Sequence, residues 1–135
     1  MTDCIFCKVA NKEIPSEVLY EDADTLAFLD IHPNNPGHTL VVPKVHAANL
    51  YEVNDESLSS FMKTVRRMAI AVKKAMSADG INVIMNNDTA AGQIIFHAHM
   101  HVIPRFSNDG YKPWPQKTYK EGEAAIVGEK IRKVL

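Results

Sequence analysis

A chain of 135 residues with 46% apolar side chains is long enough for one compact domain with a real core. Its formal net charge of −1 and pI near 6.6 exclude a general affinity for nucleic acid or anionic membranes, and no long run of Lys or Arg restores one locally. The longest apolar run is far short of a membrane span and Met1-Thr2-Asp3-Cys4 does not resemble a signal peptide, so a cytoplasmic protein is expected.

The cysteines come first, as Cys4-Ile5-Phe6-Cys7. That spacing makes a poor structural disulfide and reads either as a redox pair or as half of a metal site. Residues 4–11 suggest a helical turn or loop ended by Ile14-Pro15-Ser16. Val18-Leu19-Tyr20-Glu21 and residues 26–31 read as two strands joined by the tight turn Asp22-Ala23-Asp24. His32-Pro33-Asn34-Asn35-Pro36-Gly37 is a loop, and Thr39-Leu40-Val41-Val42-Pro43 is a third strand that Pro43 ends.

Asp55 is the expected N-cap of one long helix over about 56–76. Leu58, Phe61, Met62, Val65, Met68, Ala69, Val72 and Met76 fall at spacings of three and four, which makes a core-facing stripe. Lys73 and Lys74 suit its C-terminus and Gly80 reads as a stop. A fourth strand over 81–86 and a small-residue loop over 87–92 follow. A last amphipathic segment, about 121–135 with Ala125, Ile126, Ile131 and Val134, predicts a helix. The pattern as a whole predicts an α+β domain with a mainly antiparallel, five-stranded sheet.

The fifth strand, over 93–104, carries the chemistry. His97, His99 and His101 occupy every second position with Ala98 and Met100 between them. Side chains alternate along a strand, so this spacing puts the three imidazoles on one face. The row reads as a metal-binding strand or as a nucleophilic histidine with helpers. Its outer residues lie about 13 Å apart at the backbone, too wide for one tetrahedral ion held by all three. A neutral imidazole whose second nitrogen is held by a hydrogen bond attacks phosphorus well.

The stretch His97-Ala98-His99-Met100-His101-Val102-Ile103 resembles the signature of the histidine triad (HIT) superfamily, three histidines each followed by an apolar or small residue. Residues 26–31, 36–44 and Ala91-Gly92-Gln93 are similar to that family at matching places. The resemblance is greatest to the Hint-like bacterial branch and covers about 4–105, leaving 106–135 as a C-terminal extension of a single 1–135 domain.

It implies a HIT-like fold and a hydrolase or transferase acting at the α-phosphorus of purine nucleotide conjugates, phosphoramidate or phosphoanhydride. His99 would be the nucleophile that carries a nucleotidyl group, His101 a donor to the phosphate and leaving group, and His38 a support for the nucleophile ring. Asp30 would accept the ribose hydroxyls, with Ile5, Phe6, Phe28 and Leu40 walling the base. Asn86, Gly92 and Gln93 would stand at the phosphate. The same resemblance implies a structural zinc held by Cys4, Cys7, His46 and His97, and a homodimer in which two sheets and two long helices meet.

Asn86 stands where dinucleoside-polyphosphate hydrolases of the Fhit type carry glutamine, which points to the Hint side. Ile94 stands where many relatives carry Ser or Thr. Loss of that hydroxyl's hydrogen bond costs on the order of 1.5–3 kcal/mol if it acts in the transition state. Two alternatives follow: a catalytically weak nucleotide-binding or scaffold module, and a metal-handling or redox protein built on the CxxC and the histidine row. His32 and Trp114 receive no role from the sequence.

Overall fold

The computed structural model describes residues 3–135. The elements are α1 (Ile5–Ala10), β1 (Val18–Glu21), β2 (Thr25–Leu29), β3 (Thr39–Pro43), α2 (Asp55–Ala75), β4 (Gly80–Ile84), β5 (Met100–Arg105) and α3 (Glu123–Arg132). The five strands form one sheet in the order β1-β2-β3-β5-β4, and every neighbouring pair is antiparallel. The expected α+β class and sheet are therefore what the chain adopts. Among the described residues, no helix is long and apolar enough to cross a membrane.

Strands β2 and β3 are buried along nearly their whole length because both sheet faces are covered. On one face Ala27, Val41 and Val102 pack against Phe61, Val65, Met68 and Val72 of α2. On the other, Leu26, Phe28, Leu40 and Val42 meet Phe6 and Val9 of α1. The split follows the period of two along each strand. His101 lies opposite Leu40 of β3 and Ile84 of β4, so its side chain belongs to the α1 face, in the middle of the sheet.

Helix α2 is capped by Asn54 and not by Asp55: the Asn54 side chain accepts from the Ser57 N–H at 2.8 Å. Asp55 and Glu56 take the first turn, where carboxylates suit the helix dipole. The helix does not wait for Gly80 to stop. Ser77 adopts φ 52 and the Ala78 and Ser77 N–H groups donate back to the Lys73 and Lys74 carbonyls. These two bonds make a Schellman closure, which frees Gly80 to open β4. Helix α3 is shorter than the expected 121–135 and buries none of its residues.

The histidine stretch departs most from expectation. Only His101 lies in β5, which begins at Met100; residues 93–99 are irregular. The cause is across the sheet. The β3–β5 pairing stops at Val41↔Met100, and the next residues of β3 lead into Pro43, which has no N–H to offer a ladder. The His97 ring takes the Pro43 carbonyl instead, at 2.7 Å, while the Ala98 N–H turns to the Ala47 carbonyl at 2.7 Å.

Candidate active site and metal centre

On the α1 face of the sheet lies a cleft of about 480 Å3 with His99 and His101 in its lining. Phe6, Phe28, Leu40 and Ile5, the residues expected at the base, line it, together with Asp30, Asn86 and Gly92. Phe6 holds the position of the rings: its centroid lies 5.5 Å from Phe28 and 5.1 Å from His99, edge-on in both cases. Ile14, Ile31, Ile95 and His32 line the cleft as well. Sequence reasoning missed the three isoleucines, because apolar residues in connecting segments carry no sign of which cavity they enclose.

Hydrogen-bond partners imply the tautomers of His99, His38 and His101. His99 Nδ1 lies 2.6 Å from the His97 carbonyl, an acceptor only, so Nδ1 carries the proton and Nε2 keeps its lone pair. The Asn34 N–H donates to His38 Nδ1 at 3.0 Å, which leaves the proton on His38 Nε2. His38 Nε2–H then donates to His101 Nδ1 at 2.9 Å, so His101 presents an N–H at Nε2. Of these three rings, His99 keeps a free lone pair at Nε2 and His101 a free N–H at Nε2. The same bonds correct the expected role of His38, which supports His101 and not the His99 ring.

All three rings are held neutral. Burial lowers the pKa of His99, and burial lowers that of His38 against the pull of Asp30, whose Oδ2 lies 3.6 Å from Nε2. His101 is pushed down to about 4 by burial, reinforced by repulsion from His99 and His38. A neutral ring is the form that attacks. Asp30, His38 and His101 also stand close enough to suggest a metal group. The Asn34 N–H occupies the His38 Nδ1 lone pair, so a metal on Nε2 would require an imidazolate; Asn34, His38 and His101 form a hydrogen-bond relay, with the Asp30 carboxylate beside it.

Gly92 adopts φ 95, and a Cβ there would lie 3.5 Å from Asn86 Nδ2. The glycine therefore allows a left-handed turn and leaves its backbone open beside the Asn86 amide. Gln93 does not join them in the cleft lining. It is 3% exposed, accepts from the Asp88 N–H at 2.9 Å, and donates to the Ala48 and Ile95 carbonyls at 2.6 and 3.0 Å. Its amide is spent on holding the loop, a correction to the phosphate contact expected of it.

Cys4, Cys7, His46 and His97 converge beside this cleft, with all ligand atoms within 4.8 Å of one another. Cys4 caps α1 and Cys7 lies within it, so one short helix delivers both sulfurs. The Sγ to Nδ1 separations are 3.4 Å (Cys4–His97), 3.4 Å (Cys7–His46) and 3.5 Å (Cys7–His97), and the two Nδ1 atoms are 3.2 Å apart. A tetrahedron with zinc's ordinary bond lengths has S···N edges of about 3.5 Å and N···N edges of about 3.3 Å. With Nε2 committed to the Pro43 carbonyl, His97 directs the lone pair of Nδ1 into this group. The donor set and its spacing fit a closed, four-ligand zinc site.

Comparison with known proteins places the chain in a family. The HIT domain family model matches residues 11–108. The chain belongs to the HIT family. An HIT-like protein of Methanocaldococcus jannaschii is 50% identical over 107 residues, 79% of this chain and 82% of that one. The adenosine 5′-monophosphoramidase of Schizosaccharomyces pombe is 40% identical over 131 residues, 95% of each chain. An adenylylsulfatase of Arabidopsis thaliana is 41% identical over 107 residues, 79% of this chain and 54% of that one. Among solved structures, a HIT family member from Bacillus subtilis superposes with TM-score 0.92 at 40% identity, covering 98% of this chain and 97% of that one. A Zn-bound histidine triad protein from Mycobacterium smegmatis gives 0.78 at 32% identity, with 97% and 98% coverage. The Hint-like placement of this HIT protein and its fold are thereby shown.

Proposed function

We propose that this HIT protein hydrolyses purine nucleotide conjugates at the α-phosphorus through a covalent nucleotidyl–His99 intermediate. The observation that carries the reading is the pairing of one free lone pair, His99 Nε2, with one free donor, His101 Nε2–H, in the same cleft. Relatives named as an adenosine 5′-monophosphoramidase and an adenylylsulfatase support the reaction class.

The base lies against the apolar wall formed by Phe6, Phe28, Ile5 and Leu40. Asp30 faces the ribose, its Oδ1 already accepting from the His32 N–H at 2.8 Å and its remaining lone pairs open to hydroxyl donors. His99 Nε2 forms a bond to phosphorus as the bond to the leaving group breaks. The leaving group departs with the bonding pair and takes its proton from solvent at the mouth. The His97 carbonyl, bonded to Nδ1–H, stabilises the positive charge that develops on the ring. His101 Nε2–H and the Asn86 amide donate to the phosphoryl oxygens, where charge accumulates. Water then bonds to phosphorus as the phosphorus–Nε2 bond breaks; the bonding pair returns to His99, which is neutral again, the water's proton passes to solvent, and the nucleoside monophosphate leaves.

Zinc on Cys4, Cys7, His46 and His97 would act as a structural clamp, tying α1 to the segment that carries the nucleophile. A homodimer fits the unpaired edge strand β4, where Val83 is exposed, together with exposed Met62 and Ile70 on α2. The test of function is turnover of adenosine 5′-phosphoramidate. The wild type is expected to release AMP, and His99→Asn to release none above background; an unchanged rate in the variant sinks the reading.

A further inference from the structure

Cys4 and Cys7 are the only thiols of the chain, and α1 sets them at the spacing of a dithiol pair. Cys4 is the N-cap and Cys7 stands in the first turn, with the Cys7 N–H donating to Cys4 Sγ at 3.4 Å. Residues three apart on an α-helix have Cα atoms about 5 Å apart, inside the window of about 4.4–6.8 Å that a disulfide spans. The two sulfurs already lie within 4.8 Å of each other. A turn of the two side chains is enough to join them while α1 stays helical. Exposure orders the pair. Cys4 is half-buried and Cys7 buried, so an oxidant arriving from solvent meets Cys4 first, with Cys7 placed behind it as the resolving thiol.

What the pair encloses links it to the cleft. Phe6 lies between the two cysteines and packs edge-on against Phe28 and His99, with ring centroids 5.5 and 5.1 Å away. Ile5, also between them, lines the same cleft. Helix α1 has six residues, too few to hold a helix by its own hydrogen bonds. Its place depends on Phe6 and Val9 in the core and on the metal group, where Cys7 Sγ stands 3.4 Å from His46 and 3.5 Å from His97.

We propose that Cys4 and Cys7 are a peroxide-sensitive thiol pair whose oxidation to a disulfide opens the zinc site and weakens nucleotide binding in the triad cleft. Cys4 Sγ, as a thiolate, attacks one oxygen of hydrogen peroxide; the O–O bond breaks, hydroxide leaves, and Cys4 becomes a sulfenic acid. Cys7 Sγ, as a thiolate, then bonds to Cys4 Sγ and expels the second hydroxide. The two thiolates lose two electrons in all, and the peroxide is reduced to two hydroxide ions that take protons from solvent. A disulfide carries no thiolate charge, so His46 and His97 are the ligands left, and two imidazoles do not retain a structural zinc. Helix α1 is then untied from His46 and His97, and Phe6 loses its fixed place beside His99. A dithiol reductant reverses the change. The proposal rests on the zinc and nucleotide-binding readings above and adds a regulation to that site.

The experiment treats the reduced, zinc-bound protein with hydrogen peroxide and follows three quantities. These are zinc released to a chromogenic chelator, the mass of the tryptic peptide ending at Lys8, which carries both cysteines, and AMP affinity by calorimetric titration. Zinc release is expected to keep step with a peptide mass lower by two hydrogens. AMP affinity is expected to fall roughly tenfold, the loss of one well-placed aromatic contact. Dithiothreitol with added zinc should restore all three. Cys4→His keeps a nitrogen ligand at that corner and leaves Cys7 without a partner, so it should hold zinc through the treatment that empties the wild type. Release from Cys4→His at the wild-type rate overturns the proposal. So does zinc retained beside a formed disulfide, release with a sulfinic acid in place of the disulfide, or unchanged AMP affinity in the oxidised protein. All of these leave the zinc clamp and the hydrolytic reading standing. Reduced protein that holds no zinc removes the ligand set, and zinc-bound protein that binds no AMP removes the nucleotide reading; either result removes this proposal as well.

Discussion

His38 Nε2 donates to His101 Nδ1 across 2.9 Å, and the direction of that bond is set by a backbone N–H on the far side of His38. A loop amide at Asn34 thus decides which nitrogen of His101 offers a proton to the cleft, two rings away.

The first prediction concerns that relay. His38→Ala removes the group that holds the His101 tautomer, and the His101 ring is then free to present an acceptor to the phosphate. Loss of an aligned donor in the transition state is worth roughly ten- to a hundredfold in kcat. Steady-state kinetics on adenosine 5′-phosphoramidate should show the loss mainly in kcat, with a smaller change in KM. Wild-type kcat in a folded variant contradicts the relay.

Acid should act through His101. Its folded pKa, about 4, lies below the ordinary histidine value of 6.5. Between these values the unfolded chain binds the extra proton and the folded chain does not, so stability is complete above about pH 6.5 and falls as pH drops toward 4. The facing groups are His38 and His99, which add repulsion to a charged ring, and Asp30, which opposes it. Thermal melts of the wild type and His101→Asn between pH 4 and 8 isolate the contribution. The gap between their melting temperatures should change with pH inside that window; a constant gap rules the assignment out.

Metal content provides an independent check. The purified protein is expected to hold one zinc per chain, and Cys7→Ser to hold far less. Because Phe6 sits between Cys4 and Cys7 and touches the His99 ring edge-on, loss of the ion should lower both the melting temperature and the affinity for AMP. Elemental analysis and calorimetric titration read these two effects separately. Full zinc content in Cys7→Ser rejects the ligand set.

Gly37 precedes the relay histidine and adopts φ 97, and a Cβ there would meet Met76 Cγ at 2.7 Å. Gly37→Ala is expected to destabilise by about 1–3 kcal/mol, from backbone strain and crowding together. Adding Met76→Ala relieves the crowding and leaves the strain, so, measured by chemical denaturation, Gly37→Ala should cost less in the Met76→Ala background than in the wild type but still destabilise.

Much of this was legible in residue patterns. The alternating and apolar runs over 18–43 became β1, β2 and β3, and the three- and four-residue spacing of Phe61, Val65, Met68 and Val72 became the buried stripe of α2. Local choices between adjacent candidates were less legible. Asn54 and Asp55 can each cap a helix, and only the Ser57 contact separates them. The spacing of the histidine row alone indicates one strand; Pro43, distant in sequence, ends the pairing before His99. Partner choice was the least legible. Nothing local in Gly37-His38-Thr39 tells that His38 reaches His101, or that Gln93 turns inward, since both depend on contacts made across the fold.

The central claim is that His99 becomes bonded to the nucleotide. It is tested most directly by quenching the wild type in acid-free denaturant during turnover of a slow adenosine 5′-phosphoramidate conjugate and measuring the mass of the intact protein and its peptides. The account predicts one adenylyl group per chain, on the peptide containing His99, absent from His99→Asn. Turnover with no adduct on that peptide, or with the adduct on His97 or His101, would contradict it.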